Sequence, residues 1–180
     1  MENYYLQTAF AISVTPQEAA LLQECFAVDV CLSCDLAELP SDDMQAVKSY
    51  YASRSEAFRS IFPQKPEEED PFAGFFDLWS DPGFFGFGAT LSITHSPDGG
   101  RCFASISGDD ADVSALASLI QKICKSALPY GFHWAEGCRE DDGYASYGGG
   151  YYVVTETGIL GNSARWHMEE TLRTLHVGAS

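Results

Sequence analysis

Ala89-Thr90-Leu91-Ser92-Ile93-Thr94-His95-Ser96-Pro97-Asp98-Gly99-Gly100-Arg101-Cys102-Phe103-Ala104-Ser105-Ile106-Ser107 reads as two strands and the turn between them. Ala89 to His95 is the first strand, Pro97-Asp98-Gly99-Gly100 supplies the hairpin turn, and Cys102 to Ser107 is the returning strand. A helix follows. Asp109, Asp110 and Asp112 put negative charge at its start, and Lys122 and Lys125 put positive charge at its end, as the helix dipole favours. Val113, Leu116, Ile120, Ile123 and Cys124 form its apolar stripe. Pro129 ends it, Tyr130 to Cys138 is a strand, Arg139 to Gly150 a polar glycine-rich loop, and Tyr151 to Thr155 the last strand. Asn162 or Ser163 then opens a terminal helix reaching about His176. Hairpins beside few helices predict an α+β fold, an antiparallel sheet with helices packed on one face, and a ferredoxin-like layout for this C-terminal half.

Upstream, Tyr4 to Val14 is rich in aromatic and β-branched residues, and Ala9 to Val14 reads as a buried strand. Thr15-Pro16-Gln17-Glu18 is a capping box with proline at the first helical position, opening a short helix to about Phe26. Val28 to Cys34 alternates and reads as a second strand. Ser41 or Asp42 caps a long helix through Met44, Val47, Tyr51, Phe58 and Phe62, with Arg54 and Ser55 interrupting the stripe and Pro63 stopping it. The proline-bracketed acids of 66–71 are the best internal boundary, so residues 1–180 are expected to form one domain with subregions 1–66 and 72–180.

With 180 residues, 46 % of them apolar, the chain can build a packed core. Its net charge is −16, which excludes a surface made to neutralise phosphates and disfavours anionic lipid. No apolar run nears the roughly 20 residues of a membrane helix. Met1-Glu2-Asn3 opens no export signal, so a cytoplasmic protein with reduced thiols is expected.

Gly131-Phe132-His133-Trp134-Ala135-Glu136-Gly137-Cys138, Tyr147-Gly148-Gly149-Gly150 and Tyr151-Tyr152-Val153-Val154-Thr155 resemble a family of uncharacterised proteins carried on plasmids, phages and integrated elements. The similar features are a tryptophan strand, a cysteine after it, a triple-glycine turn and an apolar strand ending in threonine, over about half the chain. The resemblance implies a mobile-element origin and brings no activity, cofactor or catalytic residue.

The chemical motifs read mostly as structural. Cys31-Leu32-Ser33-Cys34 is a CxxC without the second ligand pair of a zinc site or the strand-to-helix position of a redox pair. His133 falls on one face of its strand and Glu136 with Cys138 on the other, and the deaminase pattern is absent. Gly148-Gly149-Gly150 lacks the lysine of a phosphate loop and reads as a turn. Phe72, Phe75, Phe76, Trp79, Phe84, Phe85 and Phe87 crowd one segment with no basic residue between Glu67 and Gly100, so base stacking is not expected there. Burial is, in the domain or in a homodimer interface, with a protein-binding surface around Trp79 as the alternative.

The acids gather at Asp35, Glu38, Asp42 and Asp43; at Glu67, Glu68, Glu69 and Asp70; at Asp109, Asp110 and Asp112; and at Glu140, Asp141 and Asp142. None matches a calcium loop. No metal, cofactor or catalytic residue is expected. The expected function is a non-enzymatic binding protein of a mobile element. Its acids, with Trp79, would meet the basic surface of a host nucleic-acid-binding defence protein such as a CRISPR effector or restriction enzyme, carboxylates standing in for phosphates. The alternatives are a small enzyme using Cys138, His133 or the CxxC, and an adaptor whose acidity serves solubility.

Overall fold

The computed structural model describes residues 3–33, 44–139 and 145–177. Six strands, β1 (Asn3–Val14), β2 (Thr90–His95), β3 (Cys102–Gly108), β4 (Tyr130–Arg139), β5 (Ala145–Val154) and β6 (Ile159–Ser163), form one antiparallel sheet in the order β2-β3-β1-β4-β5-β6. With the helices α1 (Pro16–Ser33) and α5 (Val113–Ile123), β1 to β4 complete a βαββαβ unit in the ferredoxin-like strand order. The layout expected of the C-terminal half therefore borrows its central strand from the N-terminus. β1 pairs Ala11 with Ser105 on one side and Gln7 with Ala135 on the other. β5 and β6 extend the sheet beyond β4.

One face of the sheet is covered. α1 lies against β2 and β3, and α5 against β5 and β6. Ile12, Val14, Ala104, Ile106, Phe132 and Val154 point into the core between them. The capping box holds: the Thr15 N–H donates to Glu18 Oε2 at 2.8 Å and the Glu18 N–H to Thr15 Oγ1 at 3.2 Å. Asp112 caps α5, accepting from the N–H groups of Ser114 and Ala115.

Several elements differ from the sequence reading. Residues 28–33 continue α1 instead of forming a strand. Leu21, Cys25, Val28 and Leu32 keep helical spacing, and Asp29 is turned inward, where its carboxylate accepts the Phe87 N–H at 3.1 Å. The long helix is two, α2 (Met44–Ala52) and α3 (Glu56–Ile61), broken where Ser55 caps the second by accepting from the Phe58 N–H. The proposed caps Ser41 and Asp42 lie outside the described residues. α5 ends at Ile123, before Pro129, and a 3-10 turn at Lys125–Ala127 leads into β4. Ala145 to Gly150 is strand, not loop. Close neighbours explain the glycine there: a Cβ on Gly150 would lie 2.4 Å from Asn162 O and 2.6 Å from Trp134 Cζ2. β6 went unread; its last residue, Ser163, accepts from the Trp166 N–H and opens α6 (Ala164–Val177).

Most of the segment rich in phenylalanine is core: Phe72, Phe75, Trp79 and Phe87 are buried and Phe76 and Phe85 half-buried, while Phe84 is exposed. It contributes the short α4 (Ala73–Phe76), a loop and a 3-10 turn at 82–84. A chain of ring contacts runs Phe62–Phe58–Phe75–Trp79–Phe87–Phe26, with centroids 4.8 to 5.5 Å apart. Tyr51 joins it and donates its hydroxyl to Phe62 O at 2.8 Å.

Candidate interaction surface

The sheet face away from α1 and α5 is open. β1 points Tyr5, Gln7, Ala9, Ala11 and Ser13 outward. Beside them stand Phe103, Ser105 and Ser107 of β3, then Thr90, Ser92 and Thr94 of β2. On the other side come Gly131, His133, Ala135 and Gly137 of β4, then Tyr147, Gly149, Tyr151 and Val153 of β5, and Leu160 and Asn162 of β6. No Asp, Glu, Lys or Arg stands at any of these positions. The sequence reading missed this surface, because the pairings that assemble it join residues far apart in the chain.

Near the end of β3 the face sinks into a depression of ≈ 760 Å³ lined by Gln7, Ala9, Thr90, Ser107, Asp109 and His133, among others. Thr90 Oγ1 donates to Ser107 O at 3.2 Å, and Gln7 Nε2 to Asp109 Oδ1 at 3.4 Å. Between the hydroxyls of β2–β3 and the imidazole on β4, β1 contributes Gln7, Thr8 and the methyl of Ala9. Asp109 is the one formal charge in the lining. The depression offers hydrogen bonds without an ionic clamp.

The predicted acidic residues divide. Glu67, Glu68 and Glu69 are exposed on their loop, and Asp109 and Asp110 are exposed at the turn from β3 to α5. Asp70 is half-buried and accepts the Phe72 N–H at 2.8 Å, and Asp112 caps α5, so these two carboxylates have structural work. Glu140, Asp141 and Asp142 lie outside the described residues, as do Asp35, Glu38, Asp42 and Asp43. Trp79, read as a partner-binding residue, is 4 % exposed and donates its indole N–H to Gly86 O at 3.1 Å. Its flat ring is worth more packed against Phe75 and Phe87 than in water, which removes it from the surface.

Four basic side chains are committed to ion pairs within the molecule. Arg54 pairs with Glu24, Lys65 with Asp77, Arg165 with Glu169 and Arg173 with Glu170. The hydrogen bond to Asp77 at 2.7 Å, with the Glu68 and Glu67 charges, holds the Lys65 ammonium above its usual pKa. Arg101 donates to Ser13 Oγ, Ser13 O and Ser126 Oγ. Among the described residues, Glu67, Glu68, Glu69, Asp109 and Asp110 form no ion pair.

Among the described side chains, those that suggested an enzyme do not converge. His133 faces outward on β4, while the positions of Glu136 and Cys138 alternate to the other side. Cys31 is half-buried near the end of α1, and Cys34 lies outside the described residues. Burial pushes the Cys25 thiol well up, helped by the charges of Glu24 and Cys124, and burial with the charge of Glu18 pushes Cys124 up to about 12. Such thiols are poor nucleophiles. One cysteine–histidine contact escaped the sequence reading: the hairpin register sets Cys102 opposite His95, with Sγ 3.2 Å from Nδ1. Cys102 is fully buried, so its sulfur has no open approach for a substrate. Among the described residues, no three His, Cys, Asp or Glu side chains group as metal ligands, and no helix is long and apolar enough to cross a membrane. No family model, curated protein or solved structure matches the chain.

Proposed function

We propose that the protein is a non-enzymatic binding protein that meets a basic surface of another protein with its exposed carboxylates. The observation that carries this reading is the division of the charges. Four basic side chains are paired to acids within the molecule, while Glu67, Glu68, Glu69, Asp109 and Asp110 stand exposed and free of ion pairs with described residues. An unneutralised surplus within a net charge of −16 raises encounter rates with a basic partner and repels nucleic acid and anionic lipid. A groove that binds nucleic acid is the basic surface such carboxylates fit best. The resemblance to mobile-element proteins suggests a host defence protein of that kind, with inhibition as the outcome.

The test is capture from host lysate along a salt series, comparing the wild type with the combined Glu67→Lys, Glu68→Lys and Glu69→Lys variant. Asp70 is left in place because it holds the Phe72 N–H. Exposed charge pairs are screened over about 10 Å at 0.1 M salt, so the partner should elute early as salt rises and associate more slowly with the variant. A partner held indifferently to both changes overturns the reading and makes the acids solubility determinants.

A further inference from the structure

None of the outward sheet positions named above is formally charged, in a chain where 20 % of residues are charged; Asp109 at the rim of the depression and the register position of Arg139 at the end of β4 bound them. The centre of this face is made mostly of alanine, serine and glycine, with Gln7 and His133 at the depression. Its flanks carry exposed Tyr5, Phe103, Tyr147, Tyr151 and Leu160. At the β6 end the face runs on into α6, where His167 stacks on Tyr151 at 6.2 Å between centroids. Trp166 and Met168 stand exposed there, and Ala164 through Glu169 are exposed without exception. A helix of 14 residues draws little stability from its own hydrogen bonds in water and ordinarily needs a packed face.

We propose that this outward face, poor in charge and extended by Trp166 and Met168, is where two copies of the chain associate. Charge selects the occupant. A basic partner would find few carboxylates here: Asp109 at the rim of the depression, and Glu169 on α6, which is already paired with Arg165. Two chains of −16 each repel over most of their surface, and this face is where they can meet with few carboxylates opposed. A two-fold axis through it would place the Ala–Ser–Gly centre against its own counterpart, with the aromatic flanks closing around it. The area suffices. Six strands at about 4.8 Å spacing and about eight residues of length, at about 3.3 Å per residue, give on the order of 750 Å² per copy. Two copies then bury about 1,500 Å², within the range of specific interfaces.

This association does not involve Glu67, Glu68 and Glu69, the residues that test the proposed function, and the two respond to salt with opposite sign. Screening weakens attraction to a basic partner and strengthens contact between like-charged copies. Sedimentation equilibrium of the full chain, from micromolar to millimolar at low and high salt, should show passage from 19.7 kDa to twice that mass, at lower concentration in high salt. Ala11→Lys and Ser105→Glu, at directly paired exposed positions, should each raise the dissociation constant at least about tenfold with unchanged thermal unfolding of the monomer. Hydroxyl-radical footprinting of the wild type covers the case in which a variant fails to fold. Phe103 and Tyr147 should lose reactivity on association, while Phe84, exposed on the 82–84 turn, should keep it. A chain that stays at 19.7 kDa throughout overturns the proposal, and so does association that leaves Phe103 and Tyr147 as reactive as before.

Discussion

Glu18 and Ser126, 108 positions apart, are joined by two hydrogen bonds: the Ser126 N–H donates to Glu18 Oε1 at 2.8 Å and its hydroxyl to Oε2 at 2.5 Å. The carboxylate that caps α1 thus also holds the turn leading from α5 into β4. Arg101 donates to the same serine and to Ser13, so the two helix–strand junctions and the hairpin share one polar knot. Removing the carboxylate by Glu18→Ala should cost about 1–2 kcal/mol, the scale of a lost cap with a further charge-assisted bond, measured by urea unfolding.

The same residue sets part of the acid limb of stability. Burial opposes ionisation of Glu18, but the hydrogen bonds from Ser126 and Thr15 outweigh it and hold the carboxyl below its ordinary value. A lowered folded pKa contributes stability above the unfolded value and loses it as pH falls through the folded one. Asp29 works in the opposite direction. It is 7 % exposed, Oδ1 has no partner, and burial pushes its carboxyl up despite the hydrogen bonds from Phe87 and Ser33. Its contribution is full below the unfolded pKa and is lost as pH rises through the folded value. Melting temperatures from pH 3 to 7 should therefore fall less steeply on acidification for Glu18→Gln than for the wild type. Asp29→Asn, which keeps an oxygen for the Phe87 N–H, should melt no lower than wild type at pH 7. An Asp29→Asn variant clearly less stable at pH 7 would mean that the carboxylate is needed ionised.

Gly88 and Gly99 separate two reasons for glycine. Both have positive φ, +57° and +69°. A Cβ on Gly88 would lie 1.8 Å from Asp110 O, whereas one on Gly99 would meet nothing within 4 Å. Gly99→Ala should cost about 1 kcal/mol, the ordinary left-handed penalty. Gly88→Ala must in addition move the backbone where the 87–88 loop meets the β3–α5 turn. It should cost at least about 3 kcal/mol or prevent folding, read by denaturant titration of both variants.

What could be read from the chain was local. The hairpin at 90–108, the Thr15–Glu18 box, the α5 stripe and the start of β4 follow from turn residues, caps and periodicity within a few positions of one another. Val28-Asp29-Val30-Cys31 misled because both strand and helix are served by those four residues, and only packing of Asp29 on Phe87 decides for the helix. β6 and the first half of β5 were missed because Gly148, Gly149, Gly150 and Gly161 look like turn residues. In the sheet they make room instead: Gly150 for the Trp134 ring and Gly161 for the Tyr152 ring. The acidic surface was legible as composition. The charge-poor face was not, since it exists only once Ala11 is beside Ser105 and His133 beside Tyr151.

Thiol reactivity should follow burial. Cys25, Cys102 and Cys124 are buried, and Cys31 is half-buried. Iodoacetamide labelling of the native protein at pH 8, read by peptide mass spectrometry, should modify Cys31 and spare Cys25, Cys102 and Cys124, with all six cysteines of the chain reacting after unfolding. Fast native labelling of Cys102 would show its sulfur accessible beside His95 and revive a nucleophilic role for the pair.

The aromatic segment carries the sharpest contrast in stability. Phe75 is fully buried and touches Phe58, Phe62, Trp79 and Phe87, the rings that tie α3, α4 and the 87–88 loop together. Phe84, nine positions on, is 85 % exposed. Truncating a buried phenylalanine removes its transfer free energy and leaves a cavity that neighbouring rings refill poorly, so Phe75→Ala should cost about 3–5 kcal/mol. Phe84→Ala should stay within about 0.5 kcal/mol. Trp79→Phe lies between them: the ring contacts survive in part, but the Gly86 carbonyl loses the indole donor, and a loss of about 1–2 kcal/mol is expected. Chemical denaturation of the three variants checks the order. If Phe84→Ala destabilised as strongly as Phe75→Ala, the exposed position of Phe84 would be wrong, and the 82–84 turn would have to pack against the core or against a second copy of the chain.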